Sequence, residues 1–383
     1  MSIWHIYGGN RLTGSTRVQG AKNAVLPIMA ASVLSGGETV LHNVPDLRDV
    51  TTTLRILQHL GCTAVRDGDT VRIDSRGMHC DFIPHALMRE LRSSVIFLGA
   101  ILARFGTARL SMPGGCELGP RPVNLHLDAL RALGAEVTER GGDIICRAHA
   151  LQGRRILLPF PSVGATENAM LAACAAAGET VICNAAREPE IADLQCYLRK
   201  LGADISGAGT STVTVGGFRP RPFVEHTIMP DRIVAATILC AAAACGGEVE
   251  LQDVDPAHFS TVLDSLSEAG CAIITTASAV RLTSDGQLTA PRPVVTQPYP
   301  GFPTDMHPQF VPLLAVAEGP SSVTENIWSG RFDYLTELRK MGVSCLHADS
   351  SNTAMINPGQ HLTAASVTAT DLRGGAAMVI AAL

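Results

Sequence analysis

Two sets of residues in this sequence have the types and spacing that anion chemistry requires. Cys116 lies in the loop Ser111-Met-Pro-Gly-Gly-Cys-Glu-Leu-Gly-Pro-Arg-Pro, five residues before Arg121. A nearby guanidinium favours the thiolate form of a cysteine and binds anions through two parallel hydrogen bonds. Lys22 and Asn23 follow Gly20-Ala, where a buried helix is predicted to begin, and free backbone N–H groups at a helix start favour anions. On spacing alone, a loop thiol without a role is the commoner alternative for Cys116.

Charged residues also stand at the predicted starts of other buried helices. Arg92 occupies the position that corresponds to Lys22, whereas Asp231, Asp305 and Asp371 open three later helices. Acidic residues at helix starts are ordinary capping and dipole choices, so a structural role stays the alternative for each. If the two halves of the chain face one another, the cations could hold an anionic substrate while a carboxylate acts as base.

Composition excludes several classes of protein. The chain has 383 residues, a formal net charge of -5 and only 4% aromatic residues, which argues against a nucleic-acid partner. Its 11 cysteines include no Cys-x-x-Cys pair, which favours reduced thiols in a cytoplasmic protein and no bound metal. There is no phosphate-binding Gly-x-x-x-x-Gly-Lys loop, no dinucleotide fingerprint, and therefore no predicted cofactor. No targeting peptide or membrane-inserted segment is expected.

The elements that must position these residues form an internal repeat. Five segments of the type Leu-x-x-Leu-Gly followed by a short apolar strand occur along the chain, and their glycines are Gly61, Gly134, Gly202, Gly270 and Gly342. Each glycine is predicted to end an amphipathic helix in the left-handed conformation. Six buried helices open at Lys22, Arg92, Ala165, Asp231, Asp305 and Asp371. The predicted unit is a buried helix, a strand, an amphipathic helix and a strand.

Six openings but only five closing glycines indicate that the last copy is incomplete. The sixth glycine is expected at about position 410, beyond Leu383, so about 35 to 40 residues are inferred to be absent. Six long α/β units favour two domains of three copies each over an open array.

Nine motifs carry a resemblance to a known family. In chain order they are Gly20-Ala-Lys-Asn-Ala, Leu91-Arg-Ser-Ser, Pro113-Gly-Gly-Cys, Gly119-Pro-Arg-Pro-Val, Ser162-Val-Gly-Ala-Thr, Ala186-Arg-Glu-Pro-Glu-Ile, Pro230-Asp-Arg, Phe302-Pro-Thr-Asp-Met and Ala369-Thr-Asp-Leu-Arg. Together they closely resemble the UDP-N-acetylglucosamine 1-carboxyvinyltransferases of the enolpyruvyl transferase family. The resemblance implies two inside-out α/β barrel domains of three repeats, one over residues 22–229 and the other over 1–21 with 230–383.

The resemblance also implies a reaction and residue roles. The family transfers the enolpyruvyl group of phosphoenolpyruvate to the 3′-hydroxyl of UDP-N-acetylglucosamine and releases phosphate, the first committed step of peptidoglycan synthesis. Asp305 would accept or orient the hydroxyl proton, Cys116 would protonate C3 and react with fosfomycin, and Lys22 would stabilise the anionic intermediate. The other implied substrate contacts are Asn23, Arg92, Arg121, Pro122, Val123, Asn124, Leu125, Ser162, Val163, Gly164, Ile327, Asp371 and Arg373.

Three departures from the family pattern leave alternatives open. Asn124 stands where an aspartate is common, and Ser329-Gly330 replaces a more usual Glu-Asn before Arg331. The family's Asp-Arg-Gly-Tyr motif, whose arginine binds phosphate, falls in the stretch expected beyond Leu383. A non-catalytic paralogue or an inactive truncated chain is therefore one alternative. The 3-phosphoshikimate 1-carboxyvinyltransferase, which lacks the Pro-Gly-Gly-Cys loop, is another.

Overall fold

The structure is a computed structural model that describes residues 3–111, 123–328, 330–348 and 350–383, without the side chain of Arg92. The described residues divide into two compact units. Unit 1 consists of residues 3–18 and 230–383, and unit 2 consists of residues 19–111 and 123–229. The domain bounds implied by the resemblance, 22–229 and 1–21 with 230–383, remain a proposal.

The chain begins in unit 1 and then builds unit 2 from three copies of one pattern. The elements to residue 229 are β1 (Leu12–Arg17), α1 (Lys22–Ala31), β2 (Glu38–His42), α2 (Arg48–His59), β3 (Thr63–Asp67), β4 (Thr70–Asp74), β5 (Phe82–Ile83), α3 (His85–Glu90), α4 (Phe97–Phe105), β6 (Thr107–Ser111), α5 (Asn124–Ala132), β7 (Glu136–Arg140), β8 (Asp143–Arg147), β9 (Arg155–Leu157), α6 (Val163–Ala173), β10 (Thr180–Cys183), α7 (Pro189–Leu201), β11 (Ala203–Ser206), β12 (Thr212–Phe218) and β13 (Phe223–Thr227).

The remaining elements belong to unit 1. They are α8 (Arg232–Cys245), β14 (Gly247–Gln252), α9 (Ser260–Glu268), β15 (Ala272–Thr275), β16 (Ala279–Ser284), β17 (Val294–Val295), α10 (His307–Val316), β18 (Ser321–Thr324), α11 (Tyr334–Lys340), β19 (Cys345–His347), β20 (Thr353–Ile356) and α12 (Leu372–Ala382). Short 3-10 turns at Ser32–Leu34, Arg92–Ile96 and Pro256–Phe259 complete the described elements.

Each of the five complete copies folds around one four-stranded sheet. The strand after the buried helix, here called the first strand, pairs antiparallel with the last strand of a hairpin that follows the amphipathic helix. A further strand, here called the leading strand, pairs parallel with the other edge of the first strand. The sheets have the orders β13-β2-β4-β3, β5-β6-β8-β7, β9-β10-β12-β11, β1-β14-β16-β15 and β17-β18-β20-β19. The sequence pattern had indicated two strands per copy, because leading strands of two to six residues have little periodicity and the two short strands of the hairpin are read as one.

The leading strands join the copies of each unit. In unit 2, β5 and β9 come from the end of the preceding copy, and β13 returns from the third copy to pair with β2 of the first. In unit 1, β1 from the start of the chain pairs with β14 over six residues, from Leu12 opposite Gly247 to Arg17 opposite Gln252. This pairing places the first residues of the chain in the same unit as residues 230–383.

The buried helices lie inside and the sheets outside. In unit 2, α4 packs against α1 and α6, and in unit 1 the helices α8, α10 and α12 contact one another. Every residue of α1 from Ala24 to Ala31 is buried, whereas a sheet strand such as β4 alternates buried and exposed positions. The predicted inside-out α/β architecture is confirmed in this respect. The predicted barrel is not found, because each sheet among the described residues is open and no strand closes it.

The five closing glycines adopt the predicted conformation. Gly61, Gly134, Gly202, Gly270 and Gly342 have φ between 96° and 112°, a region that favours glycine over all other residues. At Gly202 the chain lies so close to the segment that follows β12 that a Cβ atom there would be 1.9 Å from the carbonyl oxygen of Arg219. The turn that reverses the chain from helix to hairpin therefore requires glycine at this position.

Three of the predicted helix starts were displaced. α6 begins at Val163 rather than Ala165, because the hydroxyl of Ser162 caps the helix by accepting from the backbone N–H of Ala165 at 3.4 Å. α10 begins at His307, two residues after Asp305. Arg92 opens a 3-10 turn that continues into α4. None of the helices in the described ranges is both long and apolar enough to span a bilayer.

Candidate active site

In each copy, the start of the buried helix and the residue that follows the first strand lie at the same end of the copy. The buried helix runs into the first strand through a tight turn, so the residue after that strand returns to the level of the helix start. In copy three, the backbone N–H of Ala186, beyond β10, donates to the hydroxyl of Thr166 in the first turn of α6 at 3.0 Å. Residues that open the buried helices and residues that follow the first strands are consequently neighbours in space.

In copy one this convergence places Lys22 beside an acidic residue. The Nζ atom of Lys22, at the first position of α1, lies 3.4 Å from Oδ2 of Asp49 in the first turn of α2. About a quarter of the Lys22 side chain is exposed, and Asn23 beside it is half-buried. The ammonium group is thus oriented by a carboxylate and still accessible, as a cation that meets an anionic ligand must be.

In copies two and three, the residues predicted to contact the nucleotide lie on both sides of His126. Val123 caps α5, Asn124 is its exposed first residue, and Leu125 is half-buried. His126 on the next position lies so close to the start of α6 that a Cβ atom at Gly164 would be 2.7 Å from its Cε1 atom. Gly164 therefore permits the close approach of α5 to the Ser162-Val163-Gly164 segment.

A buried amide fixes the orientation of that histidine. Asn168 accepts from the backbone N–H of Gly99 at 2.7 Å and donates to the carbonyl of Val95 at 3.0 Å, so the positions of its oxygen and nitrogen are determined. Its second N–H therefore donates to Nδ1 of His126 at 2.7 Å. His126 is held with Nδ1 as acceptor, which assigns the ring proton to Nε2.

Copy three also carries buried carboxyl groups near the helix start. Glu167 on α6 is buried, and burial raises its pKa well above the usual range. The carboxylates of Glu190 and Glu188, in the Ala186-Arg-Glu-Pro-Glu segment, raise the pKa further. Burial and these neighbouring carboxylates thus favour the protonated form of Glu167.

In unit 1 the candidate base Asp305 is held by two arginines. Its Oδ1 atom accepts from Nη2 of Arg331 at 2.8 Å, and its Oδ2 atom accepts from Nη2 of Arg373 at 2.8 Å. The two guanidinium groups are almost completely buried, whereas 26% of the Asp305 side chain is exposed. The carboxylate is thus fixed in orientation and partly exposed.

Three equivalent helix starts converge on Arg373. Burial alone would lower the pKa of this arginine, but Asp305, Asp231 and Asp371 raise it above its usual value. Asp231 caps α8 by accepting from Ile233 N–H at 2.9 Å. Asp371 caps α12 in the same way, accepting from the backbone N–H of Arg373 at 2.8 Å. The carboxylates of Asp231 and Asp371 thus have capping roles, and Asp305 is the one that receives both guanidinium groups.

Beside Asp305, a second carboxylate organises the loop that contains Ile327. Oε1 of Glu325 accepts from the backbone N–H groups of Ile327 at 2.6 Å and Trp328 at 2.8 Å. Oε2 accepts from the hydroxyl of Thr304 at 2.8 Å and lies 3.2 Å from Nε2 of His307. Burial would raise the pKa of Glu325, but these donors hold it below the usual range.

His307 completes this network from the first turn of α10. Its side chain is fully buried, and burial lowers its pKa, so the ring is neutral at pH 7. Nδ1 of the ring lies 3.0 Å from the hydroxyl of Tyr334. Because Nε2 faces the ionised Glu325, the tyrosine hydroxyl is the donor to Nδ1.

Several predicted site residues lie outside the described residues. They are Cys116, Arg121 and Pro122, together with the side chain of Arg92; Ser329 also falls outside. Glu325, Arg331, Thr304 and His307 were not predicted as site residues. A signal for Glu325 exists in the repeat, since it stands where other copies have Asn43, Asn184 or Asp253 after the first strand.

The remaining cysteines of the described part differ from a reactive loop thiol. Burial raises the pKa of Cys62 to about 11 and that of Cys146 to about 12. Cys196 is the exposed member of the ten described thiols. Within the described ranges, no cluster of three His, Cys, Asp or Glu side chains is arranged to hold a metal ion.

Solved structures with this architecture include enolpyruvyl transferases. The enolpyruvyl transferase NikO from Streptomyces tendae superposes with a TM-score of 0.87 at 25% identity, covering 98% of this chain and 89% of that one. An EPSP synthase from Acinetobacter baumannii shares the fold with a TM-score of 0.70 at 19% identity, covering 98% of this chain and 90% of that one. Residues 6–383 match the family described as EPSP synthase (3-phosphoshikimate 1-carboxyvinyltransferase), and the chain belongs to this family of enolpyruvyl transferases.

More similar relatives carry a more particular name. UDP-N-acetylglucosamine 1-carboxyvinyltransferase 2 of Caldanaerobacter subterraneus is 46% identical over 383 residues, which are 100% of this chain and 91% of the relative. The corresponding enzyme 1 of Symbiobacterium thermophilum is 46% identical, covering 99% of this chain and 86% of the relative. The enzyme of Geotalea daltonii is 42% identical, covering 99% and 90%.

Proposed function

We propose that this chain transfers the enolpyruvyl group of phosphoenolpyruvate to the 3′-hydroxyl of UDP-N-acetylglucosamine and releases phosphate. The observation that carries the proposal is 42–46% identity, along essentially the whole chain, to relatives named for this activity. The partly exposed carboxylate of Asp305, bonded to two buried arginines, also favours an enzyme over a non-catalytic relative of the same fold. The names of the relatives also favour a UDP-sugar over 3-phosphoshikimate as acceptor.

The described residues suit the steps of this reaction. The 3′-oxygen attacks C2 of phosphoenolpyruvate while its proton passes to a base, and C3 receives a proton; phosphate then leaves C2 as C3 loses a proton. Asp305, oriented by Arg331 and Arg373, can accept a hydrogen bond from the hydroxyl and direct its oxygen. Lys22 supplies positive charge for the phosphate and carboxylate of the intermediate. Cys116 is proposed as the group that protonates C3 and that fosfomycin alkylates.

The remaining substrate contacts are proposed by resemblance. Val123, Asn124 and Leu125 would meet the uridine nucleotide together with Ser162, Val163 and Gly164, and Ile327 would lie on the sugar side. Asn23, Arg92, Arg121, Pro122, Asp371 and Arg373 would complete the anion sites. Within a bacterium, the reaction would take place in the cytoplasm as the committed step of peptidoglycan synthesis, on which cell shape and division depend.

Phosphate release tests the proposal directly. The purified chain is mixed with phosphoenolpyruvate and UDP-N-acetylglucosamine, and inorganic phosphate is measured against time. Release with the UDP-sugar and none with 3-phosphoshikimate is the expected result. Release with 3-phosphoshikimate alone would assign the chain to the other enzyme class, and release with neither would make it a binding protein.

Asp305 can be tested in the same assay. Asp305→Ala is expected to lower kcat by at least about 10²-fold, as removal of a positioned acid–base group usually does. Binding of UDP-N-acetylglucosamine should stay measurable by calorimetry. Asp264→Ala, an exposed aspartate of the same unit, is the control and should match the unsubstituted chain. Retained turnover in Asp305→Ala would remove this residue from the chemistry.

A further inference from the structure

Copy five departs from the repeat at the residue that follows its first strand. In copies one, three and four this position holds Asn43, Asn184 and Asp253, all with φ between 55° and 57°. In copy five the same position holds Glu325, whose φ is not positive and whose side chain is 1% exposed. The repeat therefore has a left-handed Asn or Asp at the strand end, and copy five replaces it with a buried glutamate.

Backbone pairing shows that these positions are equivalent. In each of these copies, the residue after the leading strand donates its N–H to the carbonyl of the last residue of the first strand. The pairs are Ile228 with His42, Leu158 with Cys183, Val18 with Gln252 and Thr296 with Thr324. Glu325, which follows Thr324, therefore corresponds to Asn43, Asn184 and Asp253.

In copy five, the residue after Glu325 makes the strand-end hydrogen bond that Asn43 and Asn184 make in their copies. The side-chain amides of Asn43 and Asn184 donate to the carbonyls of Ile228 and Leu158 at 3.0 and 2.9 Å, which ties the leading strand to the first strand. In copy five, the amide of Asn326 donates to the carbonyl of Thr296 at 3.3 Å instead. The side chain of Glu325 is therefore not needed for the strand-end hydrogen bond and makes other bonds.

The hydrogen bonds of the Glu325 carboxylate join two segments that are proposed to contact the acceptor substrate. One carboxylate oxygen of Glu325 holds the backbone of Ile327 and Trp328, and the other holds Thr304, the residue before Asp305. The Thr304 hydroxyl also accepts from Nη1 of Arg331 at 3.1 Å, and Nη2 of the same arginine holds Asp305. A continuous set of hydrogen bonds thus runs from Ile327 to Asp305.

We propose that Glu325 is a positioning residue that sets the Ile327 loop and the Asp305 carboxylate in one fixed relation to the UDP-sugar. The inference rests on the proposed function, since it assigns both ends of the network to the acceptor substrate. Asp305 must meet the reacting hydroxyl, and the Ile327 loop must hold the rest of the sugar at the matching distance. Displacement of one relative to the other misaligns the attacking oxygen, and small misalignments cost large factors in rate.

The chemistry of a carboxylate explains why glutamate stands here. Three hydrogen-bond donors face Glu325: two backbone N–H groups bond one oxygen, and the Thr304 hydroxyl bonds the other, from which Nε2 of His307 lies 3.2 Å away. Glutamine has one acceptor oxygen and would keep the Ile327 and Trp328 bonds while presenting an NH₂ group to Thr304. Glu325→Gln therefore keeps the Ile327 half of the network and removes the acceptor of the Thr304 hydroxyl, whereas Glu325→Ala removes both halves.

Steady-state kinetics with both substrates test this separation. For Glu325→Gln we expect kcat to fall about tenfold while KM for UDP-N-acetylglucosamine stays within about threefold, because the sugar-side loop remains tied. For Glu325→Ala we expect that KM to rise about tenfold in addition. KM for phosphoenolpyruvate should be unchanged in both, and Glu318→Gln, an exposed glutamate of the same copy, should match the unsubstituted chain.

Two substitutions of His307 test whether the loss of kcat in Glu325→Gln is caused by misfolding. His307→Gln keeps an N–H group near Glu325 and an acceptor for Tyr334, so its kcat should stay close to the unsubstituted value, whereas that of His307→Leu should resemble Glu325→Gln. The inference is overturned if Glu325→Gln keeps kcat within twofold, or if its loss disappears when rates are expressed per folded molecule. Failure of the unsubstituted chain to release phosphate would instead overturn the proposed function, so the two failures are distinguishable.

Discussion

At the scale of the residue, the environment of Asp305 bears on the role of its carboxylate. From the sequence, this residue could accept the proton of the acceptor hydroxyl or orient that hydroxyl. Both of its oxygens are engaged by guanidinium groups, at 2.8 Å each, and each ion pair stabilises the ionised form. The geometry thus fixes the direction of the carboxylate, and its role as base or as orienting group stays a prediction.

Cys116 gives a prediction at the same scale. Incubation of the chain with fosfomycin should add one molecule of the epoxide, seen by intact mass, because Arg121, five residues after Cys116 in the sequence, is expected to favour a nucleophilic thiolate. Buried thiols such as Cys62 and Cys146, whose pKa values are raised, should not react.

Cys116→Ser is the matched control for this adduct. It leaves the exposed Cys196 in place and should show no added mass. An adduct that persists in Cys116→Ser would show that accessibility alone, rather than the predicted loop, selects the reacting thiol.

At the scale of the element, the copies depend on the turn from the amphipathic helix to the hairpin. Each of these turns uses a glycine with positive φ, and the hairpin that follows supplies the last two strands of its sheet. If the turn cannot form, the hairpin cannot pair with the first strand. The first strand in turn positions the loop whose residues approach the buried-helix start.

Gly202→Ala measures how much one turn contributes. Its φ of 112° is strained for alanine, and the added Cβ would meet the Arg219 carbonyl oxygen at 1.9 Å. We expect the free energy of unfolding in urea to fall by more than about 2 kcal/mol.

Two other glycines calibrate this value. Gly134 has a φ of 96°, and a Cβ atom added there would lie no closer than 3.9 Å to any described residue beyond its chain neighbours. Gly134→Ala should therefore lower the free energy of unfolding only by the cost of the left-handed conformation, about 1–2 kcal/mol. Gly217→Ala, in β12 with open space around it, should change stability little. Equal effects at all three positions would show that neither φ nor the close approach matters.

At the scale of the whole molecule, the chain does not build its two units in sequence order. β1 starts in unit 1, residues 19–229 form unit 2, and the chain then returns to unit 1. The sheet around β14 is completed by β1, just as the sheet around β2 is completed by β13. The leading strand β1, near the start of the chain, is thus a structural part of the unit that carries Asp305.

Proline substitutions in β1 test this contribution. Leu12 and Val18 both donate their backbone N–H groups to the β14 side, so by alternation Thr16 does as well and Ser15 does not. Thr16→Pro should remove one ladder bond and lower stability by about 1 kcal/mol or more, with faster amide exchange in β14.

Ser15→Pro is the paired control, since its N–H faces away from β14. Exchange in β2, the equivalent strand of unit 2, should stay the same in both variants. Equal protection of β14 in the two variants would mean that β1 contributes no specific pairing.

The sequence by itself determined the features that arise from local patterns. The repeat, the five left-handed glycines, the buried character of helices such as α1 and the candidacy of Asp305 follow from spacing and residue type, because helix periodicity and C-cap geometry involve residues close along the chain. The family and its motifs were also evident from the sequence. Helix starts were less certain, and the Ser162 cap displaced one of them.

Only the tertiary structure decided which distant residues meet. The pairing of β1 with β14 and of β13 with β2 joins segments without a local signal, since a two- to six-residue edge strand has too little pattern to name its partner. The same holds for Glu325, whose hydrogen-bond donors come from two loops and which lies 3.2 Å from His307 on a helix. A buried carboxylate is stable only where the fold supplies donors, so its role depends on contacts that the sequence order does not reveal.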